Sequence, residues 1–315
     1  MKESKVNNIL SFSIREPKDE EAKVSYSQYS MYAKCPHQWK LRYVDKHRMD
    51  EPNIYLVFGT AMHEVIQDWL DIIYNKSLQE AKEMDLGSML QAIMVREYTD
   101  LVEKHGSHFS TPEELEGFLR DGVEILDFIS RHRVDYFNTR QLRLLAVELP
   151  LYHKILESHN VYMLGYIDLV FEDTYDNSIQ VWDIKTSTAG WNKYQKADKI
   201  KISQLVLYKK YLAEQFGFDV NKINVMYFIV KRKLHEGMVY AQKRVQTFKP
   251  ANGSVTLNKT LKQFENFVKM VFNEDGTYNT ETKHPAIAGK ANKNCKYCPY
   301  KTNFELCPKE NRMKI

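Results

Sequence analysis

The chain has 315 residues, of which 43% are hydrophobic and 27% are charged, so it is expected to be a folded, soluble globular protein rather than a disordered one. Its formal net charge is only +4, which excludes strong overall attraction to nucleic acid and leaves local clusters of lysine and arginine to bind any anionic partner. No apolar run approaches the ~18 residues of a membrane-spanning helix, and the polar N-terminus lacks the features of a secretory signal, so a reducing cytoplasmic location and no membrane partner are predicted.

The N-terminal half is predicted to be mostly helical. Residues 1–24 are polar and are expected to form an extension before the folded domain, residues 25–315. The clearest helix is predicted over residues 59–76, with Thr60 as its N-cap and a broad apolar side. Residues 78–141 continue with helical composition and are expected to form an insertion.

A change in the spacing of the apolar residues after residue 141 predicts a group of strands. Residues 142–155, 161–173 and 178–187 are short segments rich in Val, Ile, Leu and Tyr, separated by the turn segments ESHN and TYDN. A helix ending at Gly217 follows, and residues 223–233 are predicted to form a buried strand. Helices, three strands, a helix and a strand in this order predict an α+β or three-layer core.

Three carboxylates and a lysine are predicted to lie on one face of these strands. Tight turns centred in ESHN and TYDN place Glu148 opposite Asp168 and Asp168 opposite Asp183. Lys185 shares this face because it lies two residues after Asp183. Carboxylates so close together repel one another unless a cation lies among them, and their oxygens suit Mg²⁺ or Mn²⁺. This set has the components of phosphodiester hydrolysis, although charge pairs on an exposed sheet face are the alternative interpretation.

Two helices carry further polar candidates. His63 lies on the apolar stripe of the helix over 59–76, where a lone histidine is more typical of a core residue than of a metal ligand. Gln204, Tyr208 and Tyr211 recur at helical spacing after Lys185, which suits one side of a strand-binding cleft.

The four cysteines of the sequence are suited to a single site. Cys295 and Cys298 form a C-x2-C pair, Cys307 follows on the same segment, and Cys35 is the remaining thiol. Four thiolates hold either Zn²⁺ or an iron–sulfur cluster, and the spacing alone leaves both open.

Four stretches in this order resemble the RecB-like branch of the PD-(D/E)XK nuclease superfamily, which includes the CRISPR-associated Cas4 nucleases: GTAMHEVIQDWL, GYIDLVFED, VWDIKTS and QLVLY. The resemblance covers Ser25 to Cys307. It implies an α+β fold with a three-layer α/β/α, restriction-endonuclease-like core and a helical insertion over 78–141.

The resemblance also implies a role for each matched residue. The residues that match metal-contacting positions are His63, Asp168, Asp183 and Ile184, the last through its carbonyl. Lys185 matches the catalytic lysine, and Glu148 aligns more loosely with an auxiliary acidic residue. Gln204 and Tyr208 match a Q-x-x-x-Y motif that contacts DNA or supports the site.

For the cysteines, the resemblance implies a 4Fe–4S cluster that fastens the ends of the domain together. It would join Cys35 to the C-terminal segment 292–310. Eight residues separate Cys298 and Cys307, a longer spacing than in many relatives, which keeps Zn²⁺ as the alternative.

By resemblance, the chain is predicted to be a Mg²⁺- or Mn²⁺-dependent DNA nuclease. The expected activity is exonuclease action on single-stranded DNA ends in recombination, repair or replication, in a bacterium or a phage-infected cell. A helicase or recombination partner is expected to supply unwinding, because the sequence has no phosphate-binding G-x-x-x-x-G-K-[ST] motif. The alternatives are a structure-selective or nicking endonuclease, a DNA-binding accessory subunit with a vestigial nuclease site, and a zinc-binding interaction module.

Overall fold

Seven strands form one mixed sheet within residues 5–6 and 14–314, which are the residues that the structure, a computed structural model, describes. The strands of this sheet are β1 (Lys5–Val6), β2 (Ala22–Val24), β3 (Leu142–Lys154), β4 (Val161–Asp173), β5 (Ser178–Ser187), β6 (Ile223–Lys231) and β7 (Val245–Phe248). A separate pair, β8 (Ala286–Ile287) and β9 (Arg312–Met313), lies near the C-terminus.

Ten α-helices accompany the strands in the described part of the chain. They are α1 (Tyr26–Lys34), α2 (Pro36–Trp39), α3 (Ile54–Asn75), α4 (Leu78–Glu83), α5 (Leu86–His105), α6 (Pro112–Arg131), α7 (Arg133–Tyr136), α8 (Lys193–Lys196), α9 (Lys199–Phe216) and α10 (Ser254–Val271). None of these helices is long and apolar enough to cross a membrane.

The order of the strands in the sheet follows from their connections. β3, β4 and β5 form an antiparallel meander because short turns join them. α9 then crosses over the sheet, so that β6 lies parallel to β5, and β7 returns antiparallel to β6. The predicted order of three strands, a helix and a strand is confirmed. β2, which lies within the segment predicted to be an extension, pairs in parallel with β4.

Two apolar clusters cover the two faces of the sheet. One joins the sheet to α1, α9 and α10, through residues such as Tyr29, Leu212 and Phe264. The other joins it to α3, α5 and α6, through residues such as Leu70 and Leu90. The molecule therefore has three layers, and the predicted α+β class with an α/β/α core is confirmed.

α3 begins one and a half turns earlier than the sequence pattern predicts. Asn53 caps the helix, because its side-chain oxygen accepts a hydrogen bond from the N–H of Leu56 at 3.0 Å. The prediction that Thr60 is the cap is wrong, since Thr60 lies inside the helix. The early start places Ile54 and Phe58 in the apolar cluster with α5 and α6.

Candidate active site

One face of α3 forms a wall of an open cleft of about 460 Å³. Residues of β3, β4 and β5 form the opposite wall. The residues that line the cleft are Tyr55, Leu56, Gly59, Thr60, His63, Glu64, Gln67, Glu148, Tyr166 and Thr186. Gly59 of α3 faces β5, where a Cβ would lie at van der Waals distance, 3.4 Å, from Thr186 Oγ1. The cleft thus brings His63 of the helix next to the acidic strand positions.

The strand register places the predicted acidic residues side by side. β3 and β4 pair on both sides of Glu148 and Asp168, which lie opposite each other. β4 and β5 pair up to Leu169 and Trp182. Asp168 and Asp183 come next on their strands. This is the register that the two turn centres predict.

The strands become irregular at these acidic residues. Beyond Leu169 the backbones of β4 and β5 separate, and the N–H of Ile184 donates to Asp168 Oδ2 at 2.7 Å. On β3, Glu148 has a φ of 51°, in the left-handed region that is unfavourable for a side chain with a Cβ. Val147 and Leu149 consequently pack in opposite apolar clusters. The strand distortion opens the interior of the sheet between β4 and β5, beneath α3.

The charged side chains of the cleft contact one another in pairs. Lys185 Nζ lies 2.6 Å from Asp183 Oδ2, and His63 Nδ1 lies 3.5 Å from Asp168 Oδ2. Glu148 is held from α3, because Gln67 Nε2 donates to Glu148 Oε1 at 2.6 Å. These contacts join the strand acids, the lysine and the helix histidine in one cluster.

Burial makes the acids of this cluster hard to ionise. It raises the pKa of Asp168 to about 7; Glu148 adds to the rise, and Lys185 opposes it. It also raises the pKa of Asp183 to about 6, with Lys185 acting against the shift. Burial and the nearby Lys185 lower the pKa of His63 to about 4, so its imidazole is neutral and able to bind a metal.

The donor set fits a hard divalent cation. Three carboxylates and a neutral imidazole converge, and a cation among them would offset the cost of ionising Asp168 and Asp183. In residues 5–6 and 14–314, no three His, Cys, Asp or Glu side chains are arranged to hold a metal ion as they stand. Ligation would therefore require side-chain rotation.

Tyr208 lies in the core near the acidic residues, and Gln204 beside it is half-buried. Gln204 Nε2 donates to the hydroxyl of Tyr208 at 3.4 Å, and Tyr208 packs against Gly165, where a Cβ would lie 3.0 Å from its ring. Burial raises the pKa of Tyr208, and the charge of Asp183 adds to this effect. Tyr211 is buried against Phe264, so it does not line a strand-binding cleft.

Comparison with known protein families agrees with the function that this geometry suggests. The family model of the PD-(D/E)XK nuclease superfamily matches residues 23–307. The chain belongs to the PD-(D/E)XK nuclease superfamily.

Comparison with solved structures found similarities at low sequence identity. The chain is similar to a candidate exonuclease from Eubacterium rectale, with a TM-score of 0.42 and 12% sequence identity over 80% of each chain. It is also similar to a protein named SSO0001, with a TM-score of 0.35 and 12% identity over 96% of this chain and 95% of that one. A search of curated proteins found no match.

The four cysteines of this PD-(D/E)XK protein line one small pocket between α2 and the C-terminal segment, as predicted for a shared site: Cys35, Cys295, Cys298 and Cys307. Cys35 Sγ accepts a hydrogen bond from the N–H of Ile287 at 3.3 Å. Burial raises the pKa of the Cys298 thiol, and the other three sulfurs add to the rise. The cysteines are close enough to influence one another, although they do not form a metal-ligand set as they stand.

Sequence reasoning missed Gln67 and Tyr55. Gln67 is only 1% exposed and lies one turn after His63, so a polar residue on the apolar side of a predicted helix was an available signal. Tyr55 lies before the predicted start of the helix, and no pattern connected it with the acidic strands.

Proposed function

We propose that this chain is a Mg²⁺- or Mn²⁺-dependent deoxyribonuclease that hydrolyses phosphodiester bonds. The observation that carries the proposal is the convergence of His63, Asp168, Asp183 and Lys185 beside an open cleft in a member of the PD-(D/E)XK superfamily. A vestigial site would be free to lose any of these groups, which argues against a purely DNA-binding subunit.

Each residue of the cluster has a distinct part in the proposed chemistry. His63, Asp168, Asp183 and the carbonyl of Ile184 would hold the metal, and Glu148 would be an auxiliary acidic residue. A divalent cation bound there would activate water and neutralise phosphate charge. Lys185 holds a proton on Nζ and offers positive charge where the phosphate would gain negative charge. Its contact with Asp183 fixes its position, and Gln67 orients Glu148.

Single-stranded DNA ends are the proposed substrate. The support is the resemblance of the GYID, DIK and Q-x-x-x-Y segments to RecB-like nucleases, in which Gln204 and Tyr208 would contact DNA or support the site. In this proposal the enzyme acts in the cytoplasm during recombination, repair or replication, with a helicase or recombination protein supplying unwound DNA. The same cluster would serve a structure-selective or nicking endonuclease equally well, so substrate topology is the property to measure.

The cysteine pocket is the second part of the proposal. Cys35, Cys295, Cys298 and Cys307 would hold a 4Fe–4S cluster, with Zn²⁺ as the alternative, and would fasten the ends of the domain. Support comes from the convergence of all four thiols in one pocket.

The test compares end-labelled linear single-stranded DNA with covalently closed single-stranded circles, in Mn²⁺ or in EDTA. Wild type is expected to degrade only the linear strand, and only with metal. Lys185→Ala is expected to lose at least about 100-fold in rate. The matched control is Lys210→Ala, on the outer side of α9, where Lys210 pairs with Glu214. Cutting of circles would establish an endonuclease instead, and no metal-dependent cutting of either substrate would contradict the proposal.

A further inference from the structure

Two large apolar side chains are exposed at the mouth of the cleft. Tyr55 and Leu56 occupy the first turn of α3, where they are 55% and 54% exposed. Both line the same cleft as His63 and Glu148. Exposed apolar surface next to the candidate catalytic residues indicates a place where a ligand is expected to bind.

The ring of Tyr55 is held in position by the helical insertion. It meets Phe118 of α6 edge to face, with the ring centres 5.1 Å apart. The guanidinium of Arg232 lies 4.1 Å from the centre of the Phe118 ring and 5.8 Å from that of Tyr55. Arg232 is itself anchored by buried Asp121, with 2.7 Å between Nη1 and Oδ2. A ring fixed in this way loses little freedom when a ligand stacks on it.

The cation beside the ring, Arg232, shares its carboxylate with a second cation. Asp121 is the shared partner of Arg232 and Lys233, whose Nζ lies 2.8 Å from Asp121 Oδ1. Two cations thus face one carboxylate, which favours an anionic backbone at this place. An open aromatic face beside cations is the combination by which proteins bind single-stranded nucleic acids, since the base stacks while the phosphate meets the positive charge.

Resting on the proposed nuclease function, we infer that Tyr55 stacks on an unpaired base of the substrate strand at the mouth of the cleft and selects single strands over duplexes. Bases in a duplex are stacked on one another and present no free face to an amino-acid ring. Arg232 and Phe118 are positioning residues for the tyrosine. The insertion therefore contributes to substrate choice through α6.

The test measures affinity for a short single strand and for its duplex in EDTA, with Lys185→Ala as the common background so that no DNA is cut. Tyr55→Ala is expected to weaken single-strand binding about 5- to 100-fold, the range expected for the loss of one stacked base. Tyr55→Phe and Tyr55→Trp should retain binding. The matched control is Tyr175→Ala, which removes an 82% exposed tyrosine from the β4–β5 turn, outside the cleft.

A second measurement separates stacking from a general structural effect. Single strands that each carry one abasic position are compared along their length. At one position, loss of the base is expected to weaken binding by the parent protein but to leave binding by Tyr55→Ala unchanged, because the base and the ring form a single contact. Thermal melting of Tyr55→Ala should match the parent, since the side chain is largely exposed.

The outcomes distinguish this inference from the proposed function. If wild type cuts DNA but Tyr55→Ala binds single strands as tightly as its parent, the stacking role is wrong and the nuclease function stands. Equal weakening by Tyr55→Phe and Tyr55→Ala would also overturn stacking, because phenylalanine keeps the ring. If wild type neither binds nor cuts DNA, both proposals fall.

Discussion

Asp168 lies where an ionised carboxylate is costly without a cation. Its side chain is surrounded by β4, β5 and α3, and Glu148 adds negative charge nearby. The N–H of Ile184 and the ammonium of Lys185 offset only part of this cost, since the pKa still rises to about 7. The ionised carboxylate of Asp168 therefore lowers the folding stability of the metal-free protein.

The first prediction follows from this pKa. Because folding raises the pKa of Asp168, its ionisation reduces folding stability; this cost is complete above pH 7 and disappears as pH falls toward the ordinary carboxylate range. In EDTA above pH 7, Asp168→Asn is expected to be more stable than wild type by on the order of 2 kcal/mol. The difference should shrink as pH is lowered, as measured by thermal or urea unfolding.

In Mn²⁺, wild type should become more stable to unfolding than Asp168→Asn. Wild type gains stability from metal binding, whereas Asp168→Asn loses a charged ligand and gains less. A purely structural role for Asp168 predicts the opposite in EDTA, namely that the substitution destabilises the protein at every pH. That result would refute the electrostatic account of the site.

Sequence alone was sufficient to bring the acidic residues together. Asp168, Asp183 and Glu148 could be placed because side chains alternate along strands and short turns fix which residues face each other. The left-handed backbone at Glu148 and its bond to Gln67 could not be predicted. They depend on the approach of α3 to the face of the sheet, which no local pattern encodes.

At the scale of elements, the cleft depends on how α5 and α6 pack against α3. Gly122 of α6 lies at the closest approach: a Cβ there would lie 2.4 Å from Leu90 Cδ2 and 3.0 Å from Phe58 Cε2. Phe58 is one turn from Met62 on the buried side of α3. The close spacing of α6 and α3 therefore depends on a glycine at position 122, because any larger residue would place a Cβ in this contact.

The second prediction concerns this contact. Gly122→Ala is expected to destabilise the protein by about 1–3 kcal/mol, because the added methyl group overpacks the interface. Gly117→Ala, on the same helix, is the matched control, since a Cβ there meets nothing within 4 Å. It should leave stability unchanged or raise it by up to about 1 kcal/mol, since glycine is a poor helix former. Equal effects of the two substitutions on the unfolding midpoint would show that the contact is unimportant.

The longer elements were predictable and the shorter ones were not. β3, β4 and β5 carry enough alternating apolar residues to be recognised, and the C-cap at Gly217 is confirmed by its φ of 72°. β2 and β7 are too short to show a period and are defined by their partners in the sheet. The start of α3 was misplaced because Asn53 and Thr60 are both suitable caps, and only tertiary packing distinguishes them.

At the scale of the whole molecule, the C-terminal segment returns to the first helices. His37 Nε2 donates to Leu306 O at 2.8 Å, and Asn294 Nδ2 donates to Lys34 O at 2.8 Å. Tyr300 donates to the carbonyl of His47. These bonds join distant parts of the chain around the cysteine pocket, so a metal bound there would strengthen an existing connection.

The third prediction is that this pocket binds iron. Protein purified without oxygen is expected to contain about four iron atoms per chain and to be brown, as a 4Fe–4S site requires. Cys295→Ser should lose the metal and lower the unfolding temperature, while the contact between Lys185 and Asp183 is retained. Zinc in place of iron would support the alternative. Absence of both metals, together with unchanged stability of the variant, would refute a metal role for the cysteines.

The most direct test of the proposed chemistry is the rate at which Asp183→Asn cleaves single-stranded DNA in Mn²⁺, compared with wild type. Asp183 both contacts Lys185 and belongs to the proposed metal-holding set, so a loss of at least about 100-fold is expected. Asp127→Asn, at an exposed carboxylate of α6, should cleave at the wild-type rate. Equal rates for wild type and Asp183→Asn would contradict the assignment of this acidic cluster as the nuclease site.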